Sequence, residues 1–355
     1  MYHKLVALKQ EGIRVHLHCF RYDREPAGRL NELCDEVFYY PRQTGLASQF
    51  SLKPYIVKSR RSKELIGRLL ENEYPILFEG LHSCYYLDHA GLKGRLRIYR
   101  ESNIEHHYYY QLFRSERKRL ARTYFLLESF KLRLYQSVLK GADHMLAVSE
   151  SDCSYLKDRF PDIPVTYLPS FHGNSEVRSM PGTGTYAFYH GNLSVAENVY
   201  AAEYLIREVF KGLDYPLVVA GLNPPDSLKK LAAEHGVRLV ENASPTEMQQ
   251  MLSEAHINLL VTFQATGLKL KLLNTLYQGR HVLVNPPMLA GTGLDSLCVT
   301  GTDTADLREN LTSLIRRPFD AEAIRIRSAV MSERYSDNLN ARKLIGIAFP
   351  GEQGY

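Results

Sequence analysis

The chain has 355 residues, 45% of them hydrophobic and 23% charged, with a formal net charge of +5. That length suits two domains of roughly 150 to 200 residues each, and that composition excludes a disordered or fibrous chain. No apolar run reaches the roughly 18 to 20 residues of a membrane-spanning helix, and the opening MYHKLVALKQEG is a mixed helix, so neither an anchor nor a secretion signal is expected. The five cysteines are scattered, odd in number and without a C-x-x-C pair, which indicates neither a disulfide framework nor a zinc site and fits a reducing cytoplasm.

After the opening helix, short β-rich runs alternate with helical patterns, the sequence form of βαβ units and a parallel sheet. Strands are predicted at 13–19, 36–39, 76–79, 96–100, 144–148 and 165–168. The clearest helix spans 108–140, where Leu112, Leu120, Leu127, Leu134 and Val138 recur at helical spacing. Gly, Pro, Ser and Asn collect at 169–184 without an apolar period, a linker composition. Strands resume at 186–190, 217–220, 237–240, 257–261 and 281–285, and the tail from about 305 reads as helical.

The expected fold class is therefore α/β, with two Rossmann-like domains facing each other across a ligand cleft. An N-terminal domain covers 1–170, a linker 171–184 and a second domain 185–337, with a final helix and tail, 338–355, packing back on the first domain. A doubly wound domain normally opens on a strand that lies in mid-sheet. This chain opens on a helix, so the first strand of the N-terminal domain is expected to be missing, either because the protein begins upstream of Met1 or because the sheet is built without it.

Three segments of the second domain carry the sharpest chemical signals. In TYAFYHGNLSVAENV a strand ends at Gly191 and a helix follows a short turn, with Ser194 and Glu197 spaced as a capping box. Such a turn aims backbone N–H groups and a positive dipole end at one place, where a phosphate can sit. In TGLKLKLLNTLYQG a helix is entered through Gly267, with Leu268, Leu272, Leu273 and Leu276 as its core stripe. Lys269 and Lys271 fall near its first turn, where the dipole repels cations. Two lysines there point to a bound anion, with a solvated pair as the alternative. In VNPPMLAGTGLD the glycine-rich loop Gly291, Thr292, Gly293 and Leu294 follows a strand and so lies on the carboxyl edge of the sheet.

In the first domain, Arg100, Glu101, Ser102, Asn103, Glu105 and His106 crowd the end of a strand, where polar density marks a site and where capping of the next helix is the structural alternative. Glu79 and His82 stand just past another strand. Basic residues concentrate in KSRRSK, 58–63, and between Arg114 and Arg133. Both runs read by default as solvated helix faces, and both fit contact with an anionic membrane surface.

Taken in order, RESNIEHHYY before a basic helix, ADHMLAVSESD at 142–152, HGNLSVAENVYAAEYL, VVAGLNPP, EAHINLLV and GLKLKLLNTLYQGRHVLVN resemble the group 1, family 4-like nucleotide-sugar glycosyltransferases, which have the glycosyltransferase B fold. The resemblance spans nearly the whole chain. It implies a second domain that binds a nucleotide diphosphate sugar and a first domain that binds a glycan or lipid-linked acceptor. It further implies transfer with retention, no cofactor, no metal and no nucleic acid, in cytoplasmic assembly of cell-surface polysaccharide. By the same resemblance, Lys271 neutralises the departing diphosphate, and Glu101 and His82 join it as candidate catalytic residues. Gly191, Asn192 and Leu193 meet the phosphates, Thr266, Gly267, Lys269 and Asn274 line the donor, and the amides of Gly291 to Leu294 approach sugar or phosphate. Arg100, Ser102, Asn103, Glu105 and His106 fall on the acceptor side.

The chain departs from the family pattern at several positions. Thr266 and Asn274 stand where the paired glutamates are expected, Asn192 where an arginine is, and Ser102 where a histidine is. These departures favour a second reading, a weak or inert relative that binds a nucleotide or a partner enzyme. A nucleotide-sugar epimerase shares the layout and is a third.

Overall fold

The computed structural model describes residues 1–21, 27–116, 118–263 and 270–351. They form two compact units, one of 1–171 together with the final helix Asp337–Ala348, the other of 172–336.

The first unit holds strands β1 (His16–Phe20), β2 (Glu36–Tyr40), β3 (Ile76–Glu79), β4 (Arg97–Arg100), β5 (His144–Ala147) and β6 (Val165–Tyr167). All pair in parallel, but in two separate sheets, β1–β2 and β3–β4–β5–β6. Side chains alternate between the faces, as the two-residue period of a strand requires. Phe78, Tyr99 and Met145 pack with Leu65, Leu132 and Leu156 on one side, and Phe20, Phe38 and Tyr40 join that cluster. On the other side, Ile98 and Leu146 pack with Ala7 and Leu8 of the opening helix Tyr2–Gln10 and with Ala341 and Leu344 of the final helix, and Val15 joins them. Both sheets thus contribute to the first of these clusters.

The second unit holds β7 (Ala187–Gly191), β8 (Leu217–Gly221), β9 (Arg238–Glu241), β10 (Ile257–Leu260), β11 (His281–Val284) and β12 (Val299–Thr300) in one parallel sheet, ordered β12-β11-β10-β7-β8-β9. Counted from β7, this is the 3-2-1-4-5-6 order of a doubly wound sheet, whose direction of winding reverses between its first and fourth strands. Tyr189, Val219 and Leu259 face Leu205, Ile206, Leu228 and Leu311, while Phe188 and Val218 face Met251 and Leu252. Helices therefore cover both faces.

Set beside that order, the first unit reads 3-2, a break, then 4-5-6-7. The place that β7 takes in the second unit has no counterpart in the first among the described residues.

The sequence differs from the structure in three places. The single helix read over 108–140 is two helices, Glu105–Ser115 and Arg119–Tyr135. The break is local: the Glu116 carboxylate accepts the Lys118 N–H at 2.8 Å, and both residues have extended backbone. β12, two residues long, is too short to show a period. The linker is held fast within the second unit, because the buried Arg327 guanidinium donates to Ser179 and to the carbonyls of Leu276, Gly279 and Arg280.

Candidate functional site

The carboxyl edge of the second sheet gathers polar groups around the point where its winding reverses. β7 and β8 end side by side on Gly191 and Gly221. A Cβ on Gly221 would lie 2.0 Å from the Gly191 carbonyl oxygen, and one on Gly191 would lie 3.0 Å from the Asn198 side chain, so only glycine fits at Gly221. Asn192 then closes the turn, its side-chain oxygen accepting from the Ser194 N–H at 3.1 Å and from the Ser194 hydroxyl at 2.7 Å. The capping box expected of Ser194 and Glu197 does not form. The helix Ala196–Tyr204 starts one residue later with Val195 at its cap, and Glu197 instead accepts a hydrogen bond from the Thr262 hydroxyl. Leu193 is fully buried in the core, so its side chain is closed to a ligand and only its backbone can serve one.

Lys271 lies in the first turn of the helix Leu270–Gln278, with Nζ 5.6 Å from the ring centre of Tyr189 on β7. Burial, and then this cation, push the next residue, His190, down to about 4, so its imidazole is neutral at physiological pH. His190 Nε2 is buried without a hydrogen-bond partner among the described residues. Asn285, past the end of β11, clamps the end of β10, accepting from the Thr262 N–H at 3.0 Å and donating to the Thr262 carbonyl at 2.7 Å. Thr266, Gly267 and Lys269 lie outside the described residues. Asn274 is engaged elsewhere, its side-chain oxygen accepting from Asn174 at 2.9 Å in a network with Gln278 and His172.

The loop after β11 is built inward. Thr292 is buried and donates to the Leu289 carbonyl, and its own carbonyl accepts from the Tyr335 hydroxyl. Leu294 is fully buried. Gly291 and Gly293 have φ of 71° and 62°, a region that favours glycine. Their N–H groups have no acceptor among the described residues, so this loop can serve a ligand through amides and not through the Thr292 or Leu294 side chains.

In the first unit, the residues expected on one edge divide into two sets. His82 Nδ1 meets Glu105 Oε1 at 3.2 Å, beside Gly80, whose φ of 74° favours glycine. Burial, and then the nearby Arg42, pull the Arg60 guanidinium down to about 10, partly offset by Glu105 and Tyr109. Ser102 is exposed and Asn103 half-buried at the same strand end.

The other residues face inward. Glu101 is 1% exposed and accepts from the Ser102 and Asn103 amides at 2.9 and 2.8 Å and from the Tyr99 hydroxyl at 2.5 Å. Burial pushes its carboxyl up to about 8. These bonds hold the turn that follows β4. Arg100 is buried in a network with Glu79 and Lys4, and His106 is buried and held near 4 by its surroundings. Neither is open to an acceptor, because both side chains turn from the strand edge into packing. Nearby, past β2, a pocket of about 300 Å³ is lined by Pro41, Arg42, Gln43, Arg61, Ser62 and Lys63.

No family model and no curated protein matches the sequence. Solved structures do match. An α,α-trehalose-phosphate synthase (UDP-forming) from Burkholderia xenovorans, in complex with glucose-6-phosphate, aligns over 94% of this chain and 92% of that one with a TM-score of 0.59 at 8% identity. S. aureus TarM, in complex with fondaparinux, α-GlcNAc-glycerol and UDP, aligns over 77% of this chain with a TM-score of 0.57 at 10% identity. The chain spans 55% of the length of that TarM structure. Together with two parallel-sheet units, one ordered 3-2-1-4-5-6, these matches decide the architecture. The chain has the glycosyltransferase B fold.

Within a glycosyltransferase B frame, sequence reasoning missed His190, Thr262, Asn285 and Arg60. His190 had one available signal, its place directly before the Gly191 turn. Thr262 and Asn285 had none, since they meet only because β10 and β11 are neighbours.

Proposed function

We propose that this protein is a retaining, group 1, family 4-like glycosyltransferase. It moves a hexosyl group from a nucleotide diphosphate sugar bound by the second unit to a glycan or lipid-linked acceptor bound by the first. It works in the cytoplasm, at the face of an anionic membrane, in the assembly of cell-surface polysaccharide. The observation that carries the reading is Lys271, brought by its helix to the end of β7 where a doubly wound sheet binds its ligand.

In this reading the Lys271 ammonium meets the negative charge that grows on the diphosphate as the sugar–oxygen bond breaks. The glycine pair at 191 and 221 lets β7 and β8 end close together beneath the turn that meets the phosphates, and the amides of Gly291 and Gly293 donate to phosphate or sugar oxygens. Neutral His190 supplies a buried imidazole nitrogen to the same ligand. No metal or cofactor takes part. On the acceptor side, the His82–Glu105 pair orients the attacking hydroxyl, and Arg42, Arg61 and Lys63 suit an acceptor that carries phosphate. That TarM was crystallised with UDP supports a uridine nucleotide here.

Calorimetric titration of UDP, GDP and their sugar conjugates into the wild type and Lys271→Ala tests the donor reading. Saturable binding of one diphosphate, weakened at least about tenfold (about 1.4 kcal/mol) in the variant, is expected. A folded protein that binds none of them would sink this reading and leave a glycosyltransferase-like protein that binds a partner enzyme.

A further inference from the structure

The helix Arg119–Tyr135 presents to solvent what a helix of a soluble protein normally buries. Its inner face packs Leu132 and the buried Glu128 and Ser129. Its outer face carries Leu120 at 89% exposure, Leu127 at 56%, Phe130 at 62% and Leu134 at 61%, with Tyr124 and Leu126 also exposed. The three leucines are seven residues apart, so at about 100° per residue they lie within roughly 40° of one another, with Phe130 roughly 40° beyond. They form one continuous stripe. The loop 50–53 lies against the same helix, where the Tyr55 N–H donates to Glu128 at 2.7 Å and Lys53 stands 5.5 Å from the Tyr135 ring. Phe50 and Leu52 of that loop are 85% and 96% exposed.

The charge around the stripe has one sign. From 114 to 140 the sequence has eight Lys and Arg against two Glu. Glu128 is buried and paired with Lys131, and Glu116 is half-buried and bonded to the Lys118 amide. Arg119, Arg122 and Arg133 are exposed along one margin of the stripe and form no ion pair with any described residue. Apolar side chains facing out, with cations alone beside them, are the pattern of a helix that lies in a membrane interface. A second copy of the chain fits worse, since a two-fold contact through this face would set the same arginines against each other.

We infer that the outer face of the helix Arg119–Tyr135 docks onto an anionic lipid surface, its leucines and Phe130 entering the headgroup boundary and its arginines meeting lipid phosphates. This names the surface for the membrane contact proposed above and does not depend on sugar transfer.

Flotation with vesicles of phosphatidylcholine alone or mixed with phosphatidylglycerol tests it. Two multiple variants are used, Leu127→Glu with Phe130→Glu, and Arg119→Glu with Arg122→Glu and Arg133→Glu. All five side chains are exposed, and a thermal melt of each variant checks that it folds. The wild type should bind the phosphatidylglycerol vesicles at least about tenfold more tightly than the neutral ones, and each variant should lose about tenfold or more of that binding. UDP titration of the same proteins should be unchanged, so a failure here is distinct from a failure of the donor reading. Vesicle binding that both variants retain, or no vesicle binding by the wild type, overturns the inference. So does a concentration-dependent dimer that Leu127→Glu with Phe130→Glu abolishes, which would mean that a second copy covers the stripe.

Discussion

Replacing Glu101 by Gln should stabilise the first unit, and more so as the pH rises. The Glu101 carboxyl is buried at the end of β4, and burial, followed by the nearby Glu105 and Asp152 charges, pushes it up to about 8, against the partial compensation of the Tyr99 hydroxyl and the Asn103 amide. In the unfolded chain a glutamate ionises near 4.5. Between those two values the unfolded state has released its proton and the folded state has kept it, so stability falls as pH rises, by about 1.4 kcal/mol per pH unit. From pH 5 to pH 7 the accumulated cost is about 2 to 3 kcal/mol, levelling off above about pH 8.

Gln keeps an oxygen for the Ser102 and Asn103 amides and places an N–H₂ toward the Tyr99 oxygen, with no proton to lose. Calorimetric melting of wild type and Glu101→Gln at pH 5, 6, 7 and 8 should therefore show a Tm difference that widens with pH, by roughly 4 to 12 °C between pH 5 and 7 for a unit of this size. A difference that stays constant with pH would refute the argument, because the carboxyl would then titrate alike in both states. A variant that grows less stable than wild type with rising pH would refute it more strongly, by showing that the structure needs the charged form.

Two further outcomes test the second unit. Gly221→Ala puts a Cβ 2.0 Å from the Gly191 carbonyl, and since backbone cannot swing aside as a side chain can, a loss of about 2 kcal/mol or more is expected in denaturant unfolding, with nucleotide binding lost alongside. A variant as stable as wild type would mean that the ends of β7 and β8 are not in this contact. Lys271→Ala removes the cation that, after burial, helps to depress His190 from its usual value. NMR titration of the His190 ring should show its pKa rising in the variant, and an unmoved ring would place Lys271 away from β7.

How much of this was written in the sequence depends on the range of the forces involved. Short apolar runs such as AFYHG and LVVAG are local patterns, so five of the six described strands of the second unit could be read to within a residue or so. Lys271 was legible because a cation in the first turn of a helix opposes the dipole, and that conflict is visible without coordinates.

Burial and pairing partners are set at long range and could not be read. Glu101 and Asn103 are two residues apart in sequence, yet one carboxyl is sealed beneath a turn and the other side chain is half-exposed, a difference made by Tyr99 and the packing under β4. The leucines at 120, 127 and 134 show the same limit most clearly. Their spacing determines one apolar face on a helix, but whether that face meets the core or the solvent depends on which side the neighbouring elements occupy. Here Glu128, Ser129 and Leu132 took the inner side and left the leucines outside.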